Sequence, residues 1–330
     1  MVESLLWNIK ILWILIGLFF AAVIGSQTWK VLLFMEEGPK YGFETQSFSD
    51  LKMMLVALFF ISVYRNVTYN YVKPQIEKRL KSIEQDCPES KIDKCCRAFV
   101  GIFWYAFTTL YGFVIFYRHP YIPKAFLGSG KCRDMASGWP THKMTSNEKW
   151  FYMTMFAHHV HSLLELLHGI KLRTDIVEMM LHHCATVSAM MFTYYGNHFV
   201  PGVTVLIAHN IGDVLLNVCK FVRDAKATSY SNMNYLFIAL IFSWFIPRVV
   251  LISTCVLPSI IYTRFFEDGV YDTSVEQMVS LMTIPGAFIA SMVTLIMCLN
   301  LSWSYLMARI AYNKVMLAER KFEVKGDKAH

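Results

Sequence analysis

Charged residues are scarce in this chain: they make up 17% of its 330 residues, whereas soluble proteins average about 25%. Hydrophobic residues reach 55%, and the mean hydropathy is +0.39. A composition this poor in charge excludes an intrinsically disordered chain and an ordinary soluble domain. The net charge of +7 is modest, and no nucleic-acid partner is expected.

Regular cysteine spacing is also absent. The eight cysteines include no C-x-x-C pair, so neither a zinc site nor a disulfide framework is indicated. Three of them lie in a basic loop at 87–96, and Cys132 stands alone in another loop. The remaining four fall in apolar runs, where a buried thiol behaves as a small hydrophobe; these are Cys184, Cys219, Cys255 and Cys298.

Long apolar runs are what the sequence has in abundance. The first has no basic segment ahead of it, so it predicts a membrane anchor and not a cleaved signal peptide. We therefore expect an all-α polytopic membrane protein with about eight transmembrane helices. The spans are predicted at 5–25, 50–69, 98–117, 149–170, 176–195, 202–222, 235–260 and 284–308, and the fourth is the least hydrophobic.

Lysine and arginine in the loops predict the orientation of these spans. They concentrate in the loop 65–97 and in the tail from Arg309 onward, and shorter basic connections lie on the same side. The loop 118–149, with six basic residues, is the exception. Because cytosolic loops are enriched in Lys and Arg, we predict that both termini are cytosolic.

Polar residues inside the predicted spans mark a candidate site, because ionisable groups at membrane depth are costly. His182 and Asp213 each lie seven residues from the basic end of a span, or roughly 10 Å inside the boundary. Such residues also hold helices together in ordinary bundles, but this many imidazoles favours a functional layer. Slightly deeper members of the same layer are His161, His209, Asn210, Arg248 and Asn300.

Three chemistries are compatible with this layer. Neutral imidazoles bind zinc and iron, but adjacent His182 and His183 point about 100° apart on a helix, so no metal ligand and no cofactor is expected. A histidine nucleophile or base needs a carboxylate that orients it, and His182 opposite Asp213 at matched depth supplies that pair. The third possibility is the polar floor of a lipid cavity without any reaction.

The polar layer lies within a recognisable motif. Residues 175–221 read DIVEMMLHHCAT, then FTYYGN, then AHNIGDVLLNVCK, and they resemble the Lag motif of ceramide synthases within the TLC-domain family. The segments 50–74, PRVVL at 247–251 and WSYLMARIAY at 303–312 resemble further parts of these proteins. The resemblance covers about 50–315.

The resemblance implies a sphingoid-base N-acyltransferase of the endoplasmic-reticulum membrane. It would transfer the acyl group of a fatty acyl-CoA, used as substrate, to a sphingoid base and form (dihydro)ceramide. The family fold is a six-helix barrel around an acyl cavity, preceded here by two further helices. The implied organisation is an anchor helix and lumenal loop at 1–49, a second helix and basic linker at 50–97, the TLC domain at 98–312, and a charged cytosolic tail at 313–330.

The resemblance also assigns roles to individual residues. His182 is expected to be the nucleophile, His183 and His209 to support it, and Asp213 to orient the imidazole. Membrane lipids surround the protein, and a second copy of the chain or a small regulatory subunit is a further candidate partner. Substrate binding is expected from His161, Asn210, Arg248, Asn300 and Trp303.

Four residues depart from the family pattern. Asn210 stands where the family has the first Asp of H-D-x-x-D, and Asn217, Val200 and Asn300 replace a Glu, an Arg and a His. The family also includes members without synthase activity. The alternative function is therefore a non-enzymatic lipid-binding or translocon-accessory membrane protein.

Overall fold

The computed structural model describes residues 24–136, 139, 142–168, 176–225, 230–265 and 273–326. Regular secondary structure in these ranges is helical apart from one isolated bridge between Pro123 and Gly130, which confirms the all-α prediction. The helices are α1 (24–37), α2 (Leu51–Ile83), α3 (Glu89–Phe116), α4 (Ser146–His168), α5 (Ile176–Tyr195), α6 (Phe199–Asp224), α7 (Tyr230–Phe245), a π-helix (Ile246–Val256), α8 (Leu257–Phe265) and α9 (Thr273–Gly326).

Five helical segments of the described chain are long and apolar enough to cross a membrane. They are Phe48–Ile83, Glu89–Phe116, Phe199–Asp224, Met233–Ile261 and Pro285–Asn313. The helices α4 and α5 are not among them, because their histidines and carboxylates lower their hydropathy. The predicted span 5–25 lies almost wholly outside the described residues. The eight-span arrangement and the six-helix barrel stay predictions.

Helix packing positions the polar residues. The helix α3 lies along α6, α2 lies along α4, and α5 lies along α9. A Cβ atom on Gly101 would come within 2.7 Å of Asn217 Oδ1, so the missing side chain allows α3 to approach α6 closely. The main apolar core is formed chiefly by α4, α5, α6, the π-helix and α9.

The π-helix interrupts one long helix between α7 and α8. Pro247 occupies its first turn, where the missing backbone N–H of proline is tolerated. Side chains in the π-helix are offset from the positions that a continuous α-helix would give them. Such π segments are frequent at functional sites, and this one carries the buried Arg248.

A disulfide joins Cys132 to Cys255 and corrects the cysteine assignment made from the sequence. We expected Cys132 to stand alone and Cys255 to be a buried thiol, and both expectations were wrong. The two residues are 123 positions apart, so only the fold brings them together. The bond ties the loop between α3 and α4 to the end of the π-helix.

Candidate active site

Five histidines from three helices form a continuous row of imidazole rings. The row starts with His158 and His159 on α4, passes through His183 and His182 on α5, and ends at His209 on α6. The ring centroids of successive members are 5.5, 6.5, 5.4 and 6.1 Å apart. His158 and His159 were not assigned to the site from the sequence, because nothing in the sequence shows that α4 places them beside His183.

The hydrogen bonds of His209 fix its tautomer. Nδ1 lies 2.8 Å from the carbonyl oxygen of Val205, and a carbonyl only accepts, so Nδ1 carries the proton. Nε2 therefore has the lone pair and accepts a hydrogen bond from Nδ2 of Asn300 at 3.1 Å. Both nitrogens of His209 are thus occupied by the protein itself.

His182 is held differently. Its ring meets Trp303 edge to face at 5.3 Å and lies 6.1 Å from the ring of His209. Nδ1 of His182 is buried and has no hydrogen-bond partner within the described part of the chain. Of these two imidazoles, His182 is the one with a ring nitrogen that the described protein groups leave available for a substrate.

The carboxylate of Asp213 pairs with Arg248. Its Oδ1 lies 2.7 Å from Nη2 of Arg248, which also donates to the carbonyl oxygen of His209. The guanidinium stacks over the ring of Trp244 with its centre 3.7 Å from the ring centroid. We expected Asp213 to orient the imidazole of His182 directly, whereas the geometry links it to the backbone of His209 through Arg248. Trp244 was missed in the sequence, although it lies one turn before Arg248.

Two residues expected to bind substrate lie apart from this group. Asn210 is 2% exposed, and its Nδ2 donates to the hydroxyl of Thr108 at 3.2 Å. His161 lies at the contact between α2 and α4, where Nη1 of Arg65 is 2.9 Å from its Nδ1. Both residues thus make contacts between neighbouring helices.

A small, partly open apolar cavity with a volume of about 30 Å³ begins one helical turn from the imidazoles. Thr186, Val205 and Ile296 line it, and they lie one turn from His182, His209 and Asn300 respectively. It extends along α5 to Thr193, about 10 Å farther on. There the hydroxyl of Tyr152 donates to the carbonyl oxygen of Met190 at 3.0 Å. The further lining residues are Ala189, Pro201, Gly202, Leu206, Ile260, Ile289 and Val293.

This chain is similar to known proteins of one family. A family model described as the TLC domain matches residues 94–309. Ceramide synthase 3 of Homo sapiens is 24% identical over 203 residues, which cover 60% of this chain and 50% of the relative. Ceramide synthase hyl-2 of Caenorhabditis elegans is 21% identical over 291 residues, covering 83% and 82% of the two chains. ASC1-like protein 3 of Oryza sativa is 29% identical over 135 residues, covering 39% and 47%. The chain thus spans about half the length of the human and rice relatives.

Proposed function

Because the chain belongs to the TLC-domain family, we propose that it transfers a fatty acyl group from acyl-CoA to the amine of a sphingoid base. The product is a (dihydro)ceramide, and free CoA is released. The ceramide synthases among its relatives support this class of reaction. The observation that carries the proposal is the apolar cavity that begins one turn from an imidazole with an available nitrogen.

In the proposed binding mode the acyl chain enters along this cavity, which has to widen to hold it. Its walls are mainly aliphatic side chains of α5, α6 and α9, which suit a hydrocarbon because burying each CH₂ contributes about 0.8 kcal/mol. With the chain inserted, the thioester carbonyl lies at the polar end of the cavity, beside His182. The hydrophilic CoA moiety then remains on the cytosolic side of the layer.

The reaction follows in two steps. A nitrogen of His182 attacks the thioester carbonyl, the C–S bond breaks, and CoA leaves as the thiolate. The amine of the sphingoid base then attacks the acyl-imidazole, the C–N bond to the ring breaks, and an amide forms. The amine gives up one proton and the CoA thiolate takes one, so the overall proton count is unchanged. A site that excludes water protects the reactive acyl-imidazole from hydrolysis.

The neighbouring residues position the nucleophile in this proposal. Trp303 limits the tilt of the His182 ring, and His209 presents a fixed tautomer to it. Arg248 and Asp213 hold the α6 backbone at His209 against the π-helix. His183 continues the row of imidazoles toward α4, and we assign it a supporting role.

The proposal places the protein in the endoplasmic-reticulum membrane with both termini cytosolic. The disulfide supports this orientation, because it puts Cys132 and the basic loop 118–149 on the side where disulfides persist, the oxidising lumen. The histidine row then lies nearer the cytosolic end of the spans, where acyl-CoA is delivered. A second copy of the chain or a small regulatory subunit stays a candidate partner.

An enzymatic assay separates the proposed function from its alternative. Microsomes from cells expressing the chain are supplied with sphinganine and a panel of labelled acyl-CoAs, and ceramide is measured against a vector control. We expect ceramide above the control for wild type and a loss of about 10²–10⁴-fold for His182→Ala. The matched control is His168→Ala, which removes an exposed imidazole at the end of α4 and should keep more than about half of the activity.

A lipid-binding protein without activity gives a different result. It would copurify with lipid but form no ceramide with any acyl-CoA of the panel, and this outcome would replace the enzymatic proposal.

A trapping experiment tests the nucleophile separately. Protein incubated with acyl-CoA alone should carry an acyl adduct that is lost in His182→Ala. The adduct should persist in His209→Ala and in Cys184→Ser, which alters an exposed thiol on α5. An adduct that maps to Cys184 would show that His182 is not the nucleophile.

A further inference from the structure

A second group of imidazoles lies at the other end of α4, away from the histidine row. One ligand atom from each of His119, His142 and Glu148 lies within 4.8 Å of the other two. Nε2 of His119 is 3.2 Å from Oε1 of Glu148, and the two side chains are only 11% and 7% exposed. The proposed acyl transfer does not use this group.

His142 has an unpaired nitrogen in this group. Its Nε2 is buried and makes no hydrogen bond to any described residue, which is costly for a polar atom unless a ligand meets it. The ring lies 5.6 Å from that of His119 and 5.4 Å from that of Tyr121, and it stacks on Phe199 at 5.1 Å.

The two carboxylate oxygens of Glu148 have different partners. Oε2 accepts a hydrogen bond from the backbone N–H of Thr145 at 2.6 Å, and the Thr145 hydroxyl faces the backbone N–H of Glu148 at 3.4 Å. This reciprocal pair is the capping box that starts α4. Oε1 is left to face His119, so the cap fixes the orientation of a potential ligand.

We propose that His119, His142 and Glu148 bind one Zn²⁺ ion that joins the loop before α4 to the start of that helix. Two imidazoles and one carboxylate are a common zinc ligand set, with a water in the fourth position. In a tetrahedral zinc site with bonds of about 2.0–2.1 Å, neighbouring ligand atoms are about 3.3 Å apart. The 3.2 Å between His119 and Glu148 already matches this spacing. The ligand atom of His142 lies within 4.8 Å of the other two, so it has to close in by at most about 1.5 Å.

Zinc binding changes both hydrogen bonds of the His119 ring, because the metal replaces the Nε2–H that donates to Oε1 of Glu148 and the contact of Nδ1 is also lost. Nδ1 of His119 accepts from the backbone N–H of Tyr121 at 3.3 Å, so the neutral ring carries its proton on Nε2. Coordination through Nε2 moves that proton to Nδ1 and gives up this long contact. The inference departs from the expectation, made from the sequence for the whole chain, that no metal is bound.

Elemental analysis tests the site without any substrate. Full-length protein purified in detergent is stripped with a chelator, incubated with Zn²⁺ alone, desalted and analysed by mass spectrometry for bound metal. We expect about one zinc per chain in wild type and close to none in His142→Ala and His119→Ala. The matched control is His198→Ala, which removes an imidazole that stacks on Trp139 at 5.1 Å outside the cluster, and it should keep its zinc.

The variant Glu148→Gln guards against misfolding, because glutamine preserves the capping box but is not a carboxylate ligand. Zinc should raise the melting temperature of wild type and of His198→Ala by several degrees, and that of Glu148→Gln much less. Equal zinc content in wild type and all variants would overturn the proposal, as would wild type that binds none. Another divalent ion held in preference to zinc would overturn the choice of metal. None of these results depends on acyl transfer.

Discussion

The ion pair between Asp213 and Arg248 gives a stringent test of how the site is held together. Arg248 is 2% exposed and Asp213 is 21% exposed. Three variants address the pair: Asp213→Asn, Arg248→Met and the double variant. Each keeps approximately the volume of the side chain it replaces, so the changes concern charge more than packing.

The structure indicates unequal costs for the two single variants. Unit charges about 4 Å apart attract by about 4 kcal/mol at an effective dielectric constant of about 20. Asp213→Asn leaves a buried guanidinium without a counterion, and the loss of one partner of a buried pair costs about 3–5 kcal/mol. Arg248→Met leaves a carboxylate that water reaches in part, so we expect about 1–3 kcal/mol, including the lost stacking on Trp244.

The double variant should be more stable than the sum of the single changes predicts. Removing both charges of a buried pair is often nearly neutral, so we expect a coupling energy of about 2–3 kcal/mol. The measurement is the free energy of unfolding in detergent for wild type and the three variants. Additive single effects, with a coupling below about 0.5 kcal/mol, would refute the ion pair.

Activity of the same four proteins separates positioning from stability. If the pair holds His209 in place for catalysis, the double variant regains stability but remains at least about tenfold less active than wild type. Wild-type activity in the double variant would show that the pair serves folding alone.

Three further predictions concern other parts of the chain. Asn210→Asp restores the carboxylate of the family pattern, but this side chain is buried against Thr108. We therefore expect a loss of about 1–3 kcal/mol in the free energy of unfolding and no gain in activity. Faster turnover at unchanged stability would contradict this expectation. Cys132→Ser should lower the melting temperature, because it removes a crosslink that closes a loop of 123 residues. In the chain-entropy model such a crosslink contributes up to about 5 kcal/mol to stability. Alkylation of Cys255 in unreduced wild-type protein, measured by mass spectrometry, would contradict the presence of the bond. Ala189→Leu fills part of the cavity and should shift the ceramide products toward shorter acyl chains in an acyl-CoA panel, whereas an unchanged profile would place the acyl chain elsewhere.

Helix positions were the most predictable part of the fold. The fifth span was expected at 176–195, and α5 runs over Ile176–Tyr195. Other helices extend beyond the predicted spans: α2 continues through the basic segment to Ile83 and α3 begins at Glu89. Hydropathy detects only the apolar part of a helix, so the polar turns beyond it were assigned to a loop.

The sequence predicted the depth of the polar residues along their helices but not which of them are in contact. Spacing along single helices placed His182, His209 and Asp213 at similar depth, and two of these rings do meet. The rotation of each helix about its axis decides which neighbours touch, and a single sequence does not give it. Asn210 therefore turned out to face Thr108, and Asp213 turned out to face Arg248.

The π-helix at Ile246–Val256 also has a consequence for how this region tolerates changes in length. In a loop, deleting one residue shortens the connection and leaves the flanking elements in phase. Deleting one residue between Arg248 and α8 would instead rotate one side of the helix by roughly 80° relative to the other, because a π-helix has more than four residues per turn. With Cys255 tethered through its disulfide, Arg248 would turn away from Asp213 although both residues were still encoded. This helix can therefore tolerate substitutions, but a change in its number of residues would break the ion pair between Arg248 and Asp213.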